Sequence, residues 1–248
     1  MIPACHGTAQ IVRFNWPYYV TASGAVLLAL WAASASQAGS VPRLALLGVS
    51  AIAAFWVVAS LGASWAVYDR SPLMTGRWIP EALRFTPRSW AVISAGFDEM
   101  TPALRRLLAP SAGRAFDIYD PAVMTEPSIV RAREAAGTLA ERADARQLPL
   151  GDGSTHAIVL PLSAHELRTH AARRGLFLEV ARVLARDGRV VVVEHLRDAA
   201  NFLAFGPGFL HFHSRHAWLR CFADAGLDVR DEFPITPFVR VFILSRLQ

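Results

Sequence analysis

The chain has no lysine, only two cysteines, and no acidic residue before Asp69. With lysine absent, the formal net charge of +5 rests on arginine alone. GC-rich codon usage explains that more simply than selection for guanidinium chemistry. The arginines are scattered through the C-terminal part and are not interleaved with aromatic residues, which argues against nucleic acid as a partner. Cys5 and Cys221 lie far apart, so they suggest neither a disulfide framework nor a metal site, and they fit a reducing compartment. The scarcity of charge is local: of the first 68 residues only Arg13 and Arg43 are charged side chains other than histidine. This stretch accounts for much of the 53% apolar content.

Two uncharged apolar runs, 18–35 and 44–67, are each long enough to cross hydrocarbon as a helix. Trp16, Tyr18 and Tyr19 open the first, and Trp65 and Tyr68 close the second, where amphipathic rings favour a membrane interface. Gly39 and Pro42 make the 36–43 link a tight turn. Small residues inside the runs (Ser23, Gly24, Gly48, Ser50, Ser60, Gly62) permit close helix contact. The expectation is a transmembrane hairpin over residues 1–68. The rival is a signal peptide, with Arg13, an apolar core and A-S-A-S-Q-A as a cleavage site; the second run is too long for that. Arg13, Arg70, Arg77, Arg84 and Arg88 flank the hairpin ends against Arg43 alone in the turn. The positive-inside bias therefore puts both termini and the globular part on the cytoplasmic side of the inner membrane.

Residues 69–89, rich in proline, tryptophan and arginine, read as a connector lying against headgroups. From residue 90 the pattern changes to short β-branched runs alternating with helical periods, the mark of a mainly parallel sheet with flanking helices. Runs 90–94, 114–118, 158–162 and 190–193 are strands. Thr101 is expected to cap a helix over 102–108, and 128–141 is expected to be helical. Leu176, Val180, Val183 and Leu184 recur at helical spacing, with Asp187-Gly188 as the stop. Residues 227–246 close the sheet as an antiparallel hairpin.

The segment D-A-R-Q-L-P-L (144–150), then H-A-I-V-L-P-L-S-A-H-E-L (156–167), then F-L-E-V-A-R-V-L-A-R-D-G-R-V-V-V-V-E-H (177–195) resembles the second half of class I S-adenosylmethionine (SAM) dependent methyltransferases. Together with Y-D-R-S-P at 68–72, it is similar to a bacterial group of membrane-anchored, type 11-like methyltransferases. The resemblance implies a Rossmann-like α/β methyltransferase domain over residues 90–248. It also implies cofactor contacts at Gly96 and Asp98 in the loop after the first strand, at Asp117 on the ribose, and at Asp144 beside the adenine. Asp117 is equally readable as a turn cap. The loop A-G-F-D-E-M-T departs from the family pattern: only Gly96 remains of its glycines, and Ser94 stands at the strand-end acid, so Asp98 or Glu99 would have to take over contacts.

His165 and Glu166, after the fourth strand, sit at the carboxyl edge where open α/β sheets bind ligands. They are the first candidates for an acid/base pair, since an ordinary histidine pKa allows proton transfer near neutrality. The plainer alternative has His165 ordering a loop and Glu166 pairing with Arg168. His195, ending the fifth strand, occupies an equivalent position. In 201–218, aromatics surround Gly206-Pro207-Gly208 and His211, His213 and His216. The H-x-H-x-x-H spacing supplies imidazoles without a carboxylate or cysteine in register, so no metal site is expected. A lid over a lipophilic pocket, or a surface dipping into the bilayer, is expected instead, with these rings filling the domain's own core as the alternative. The expected function is methyl transfer from SAM to a hydrophobic small molecule (a quinone, lipid or pigment precursor), with the bilayer as partner. The glycine-poor loop supports a second reading, a non-catalytic subunit of a larger membrane complex such as a photosynthetic or respiratory assembly. Carbonate washing should leave the full-length protein in the membrane pellet; release into the supernatant would exclude the hairpin.

Overall fold

The structure is a computed structural model, and it describes residues 6–98, 100–136 and 140–247. Cys5 and Glu99 lie outside them. Helix α1 (His6–Phe14) precedes two long apolar helices, α2 (Trp16–Ala35) and α3 (Val41–Ser64). Proline in the first turn of α2 and of α3 suits a position whose N–H has no helical partner. At 1.5 Å per residue these helices are about 30 and 36 Å long, and both are long and apolar enough to cross a membrane. They pack on each other, with Tyr19 Oη 2.9 Å from Ser60 Oγ. Their outer faces leave Leu27, Trp31, Val49, Ile52, Phe55 and Val58 exposed. Apolar faces of this size call for a cover, either lipid or protein.

Helix α3 runs on into a π-helical turn, Trp65–Arg70. Here Asp69 holds the start of α1: its carboxylate accepts the backbone N–H of Gly7 (2.8 Å) and of Thr8 (2.9 Å), and also the Thr8 hydroxyl. A carboxylate at a helix N-terminus satisfies open N–H groups and favours the dipole. The contact is close, since a Cβ on Gly7 would lie 2.5 Å from Tyr68 Cβ. Helix α1 was not foreseen from sequence.

Strands β1 (Ser89–Ser94), β2 (Ala112–Asp117), β3 (Glu141–Arg142), β4 (Thr155–Pro161), β5 (Leu184–His195), β6 (Leu227–Thr236) and β7 (Val239–Arg246) form one sheet in the order β3-β2-β1-β4-β5-β7-β6. The first five run parallel and β7 is antiparallel to both neighbours. As expected, β4 and β5 are adjacent, Ile158 facing Val190 and Leu160 facing Val192. Helices α4 (Ile79–Leu83), α5 (Thr101–Leu107), α6 (Pro127–Ala136), α7 (His170–Val183), α8 (Ala199–Phe205) and α9 (Arg215–Asp224) flank it. One core lies between the sheet and α7 and α9, around Phe177, Trp218, Phe222 and Phe242.

The opposite core corrects the connector reading. Leu73, Ile79 and Leu83 are buried against Trp90, Val92 and Val191, so residues 69–89 cover the sheet's second face. Three boundaries also differ. Helix α7 stops at Val183 and Leu184 already turns extended, so Asp187-Gly188 lies within β5. Glu141 belongs to β3, not to the preceding helix. Thr101 is the first residue of α5 and caps nothing; Asp98 Oδ1 accepts the N–H groups of Met100 and Thr101, both at 3.0 Å.

The α1 clamp should be measurable in detergent. Gly7→Ala should cost about 1–3 kcal/mol through overpacking on Tyr68, and Asp69→Ala about 0.5–2 kcal/mol through the lost cap. Both should lower the melting temperature and open 6–14 to protease; unchanged melting in both would show that α1 is not held this way.

Candidate active site

The carboxyl ends of β1, β4 and β5 open onto a cavity of about 760 Å3. Its floor includes Ala95, Phe97, Pro161, Leu162, His165, Glu166 and His195. The roof is α1, through Gln10, Ile11 and Phe14, together with Tyr18, Tyr19, Ser60 and Ser64 of the long helices. Phe205, Leu210, His211 and Phe212 close one side, so part of the aromatic segment shapes the pocket. Trp218 does not: it is fully buried, stacked on Phe222 and edge-on to Phe177. The other end of the segment meets the long helices, with Phe202 edge-on to Trp56 at 5.8 Å.

His165, Glu166 and His195 thus share one cavity. His165 sits between two carboxylates, with Nδ1 2.6 Å from Glu194 Oε2 and Nε2 3.2 Å from Glu166 Oε1. Glu194 Oε1 also accepts the His165 backbone N–H at 3.1 Å. Burial pushes the His165 pKa down, but Glu194 and Glu166 outweigh it and raise it to about 10. As it stands, His165 is therefore an ion-paired imidazolium rather than a base of ordinary pKa. Glu166 does not pair with Arg168; it faces His165 and His211. His195 is the opposite case, held neutral chiefly by burial, with its pKa lowered to about 4. Its Nδ1 is 2.8 Å from the Phe238 carbonyl and its Nε2 3.3 Å from the Tyr68 hydroxyl. Tyr68, Glu126 and His211 also line the cavity, and of these the sequence pointed only to His211, as part of the expected lid.

Beside the cavity, β1 and β2 end in a second arrangement. Gly96 takes a left-handed φ of 84° and donates its N–H to Asp117 Oδ1 at 2.7 Å. The Tyr119 N–H donates to the same oxygen at 3.0 Å, and the Arg133 guanidinium to Oδ2. Asp117 is buried, and Arg133 also lies over the Tyr119 ring. A Cβ on Gly96 would lie 2.7 Å from Ile129 Cγ2, so α6 packs directly over the glycine. Asp98 caps α5. Asp144, exposed after β3, accepts the Arg146 N–H at 2.8 Å. Neither lines the cavity.

Residues 94–192, which run from the end of β1 into β5, match the family described as methyltransferase domain, type 11. The sheet domain has the Rossmann-like fold of class I methyltransferases. Among solved structures, a SAM-dependent methyltransferase from Aquifex aeolicus is similar at 15% identity and a TM-score of 0.54, covering 71% of this chain and 93% of that one. The mitomycin 7-O-methyltransferase MmcR reaches a TM-score of 0.56 at 15% identity, covering 98% of this chain and 73% of that one. The PH0226 protein of Pyrococcus horikoshii OT3 gives 0.51 at 12% identity, covering 71% and 89%. At these identities the likeness speaks for the fold. No curated protein sequence matches the chain.

Asp117 ends β2 and Gly96 turns after β1, but α6 lies on both. A carboxylate has about four acceptor positions, and three here are taken by Gly96, Tyr119 and Arg133. A ribose diol needs two, so it fits only with Arg133 withdrawn. Arg133 is partly exposed, and it is the one side chain on Asp117 among the described residues.

The two ends of the aromatic segment should respond oppositely to truncation. Trp218→Ala should cost about 3–5 kcal/mol by leaving a core cavity. Phe202→Ser should cost under about 1.5 kcal/mol, the worth of an edge-on ring pair. Equal losses in thermal melts would contradict this division.

Proposed function

We propose that this chain is a membrane-anchored methyltransferase that takes a lipophilic small molecule, of the quinone, lipid or pigment-precursor class, with SAM as methyl donor. The observation that carries the reading is the cavity: it lies between the carboxyl edge of a methyltransferase sheet and the apolar hairpin, so the acceptor would meet the strand ends from the membrane side. Trp56 lies eight residues before the end of α3, about 12 Å along the helix, and Phe202 packs on it. Leu203 and Leu210 are exposed beside it. These contacts favour a domain seated into the interfacial region, with lateral access from lipid. The arginine distribution favours the cytoplasmic face.

SAM, when bound, supplies an electrophilic methyl group. The chain's own part is to hold the acceptor in a mostly apolar space, where positioning carries most of the rate. Ser64 Oγ lines this space and is buried without a partner among the described residues, which suits an acceptor bearing a polar group. His165, Glu166 and His195 are the polar groups of the opposite wall.

A second reading has one specific observation in its favour. The closure of Arg133 on Asp117 and of Ile129 on Gly96 is also what a non-catalytic subunit of a membrane complex would retain.

Calorimetric titration of detergent-purified protein with SAM and S-adenosylhomocysteine separates the two. On the enzyme reading wild type binds, Arg133→Ala binds more tightly because the guanidinium no longer competes for Asp117, and Asp117→Asn binds about tenfold or more weakly through a lost charge-assisted hydrogen bond. No binding by wild type or by Arg133→Ala would overturn the enzyme reading and favour the subunit one.

A further inference from the structure

We propose that His165, Glu166 and His211 form a binding site for one first-row divalent cation in the cavity wall. Their ligating atoms all lie within 4.8 Å of one another. Chain order does not bring them together: His165 and Glu166 lie in the turn after β4, and His211 ends the 3-10 helical segment Gly206–His211 beyond α8. Glu166 Oε1 is 3.2 Å from His165 Nε2 and 3.5 Å from His211 Nε2. Ligands bound at about 2.1 Å sit about 3.4 Å apart at tetrahedral corners and about 3.0 Å at octahedral ones. Both pairs therefore already have the spacing of neighbours around one ion.

Each Nδ1 has a carboxylate near it, in hydrogen-bond contact at His165 and at a longer ion-pair distance at His211. His165 Nδ1 faces Glu194 Oε2 at 2.6 Å, and His211 Nδ1 faces Glu126 Oε1 at 3.4 Å. An ion binding at Nε2 displaces the proton that His165 carries there, and a carboxylate near Nδ1 keeps the remaining proton on that side, the arrangement that supports metal-bound histidines. A His165–Glu166 ion pair on its own would account for those two residues. It does not account for a second imidazole, backed by its own carboxylate, converging on the same Glu166 oxygen. This departs from the sequence expectation of no metal site. The missing carboxylate comes from Glu166, and of the three clustered histidines only His211 takes part. His213 Nε2 is bonded to Arg173 and His216 Nε2 to Arg220.

Two imidazoles and one carboxylate suit zinc, iron, cobalt or manganese better than calcium or magnesium. All three side chains line the cavity, so the remaining coordination positions face its occupant. A cation there would take a hydroxyl, carbonyl or enol oxygen in an otherwise apolar space and would lower the pKa of a bound hydroxyl.

The test uses full-length, chelator-stripped protein in detergent with no SAM present, titrated with Zn2+ by calorimetry and with Co2+ by visible absorption. The expected result is one ion per chain and a Co2+ spectrum of low coordination number. His211→Ala and Glu166→Gln should lose binding, while His216→Ala should bind as wild type does. Glu126→Gln, at a half-exposed position that folding tolerates, should weaken binding about tenfold to a hundredfold. No binding by wild type, or wild-type affinity in folded His211→Ala, would overturn the site; so would wild-type affinity in both Glu126→Gln and Glu166→Gln. Because no cofactor is added, failure of SAM binding leaves this result standing, and the reverse also holds.

Discussion

Where α3 leaves the apolar hairpin, the Asp69 carboxylate closes on the first N–H groups of α1. The cavity roof follows from that contact. The contact folds the N-terminal helix back over the domain, so α1 supplies the cavity roof through Ile11 and Phe14. Phe14 then meets Phe97 edge-on at 5.4 Å, and its carbonyl accepts the Arg131 Nε–H at 2.5 Å. Arg131 belongs to α6, the helix that also places Ile129 over Gly96 and Arg133 on Asp117. A short chain of contacts thus runs from the hairpin exit to the strand ends.

The wall facing α1 carries a different burden. Glu194 is wholly inaccessible and Glu166 nearly so. Two carboxylates out of water are costly unless opposed by positive charge, by hydrogen bonds or by a metal. His165 opposes both, and that is why its pKa rises although burial alone would lower it. Apolar residues of similar volume would fill the same space at less electrostatic cost. Charge kept in a buried position beside a cavity is the pattern of a binding or reactive site. His195 shows the other outcome: burial first, and then repulsion from His165, hold its pKa at about 4.

The sheet was legible because its strands are short β-branched runs buried on both faces, a pattern little else produces. Helix α1 was not, because its residues adjoin a longer apolar run and read as a flank. The connector misled by composition: proline, tryptophan and arginine suggest a surface, yet Leu73, Ile79 and Leu83 lie in the core. At the site, His165, Glu166 and His195 could be found because strand ends converge on one edge. His211 joins them through a loop path 45 residues further on, which no local pattern encodes. Asp98 and Asp144 are harder to read. An aspartate that caps a helix or closes a turn looks in sequence like one that faces a ligand, and here both accept neighbouring backbone N–H groups. Asp117 was open to both readings, and the structure uses it for turn bonds and for Arg133 together.

Helix α6 joins the two halves of this edge. Ser128, Ile129 and Ala132 form part of the cavity wall, while Arg133, one residue on, holds Asp117. Arg133 can leave Asp117 by rotating about its own side-chain bonds or by a shift of α6, and a ten-residue helix that shifts as a unit takes the wall with it. Whatever fills the cavity and pushes on Ile129 and Ala132 therefore also acts on the guanidinium that covers Asp117. Where displacement of Arg133 shifts α6, the reciprocity of linked equilibria makes the ligand at Asp117 and the cavity's occupant change each other's affinity by the same factor. The sign depends on whether α6 moves toward the cavity or away from it. An outward movement enlarges the cavity as Asp117 becomes free, and the two ligands then favour each other. Since α6 also bonds α1 through Arg131, such a movement strains the roof, and the Asp69 clamp sets how far it can go.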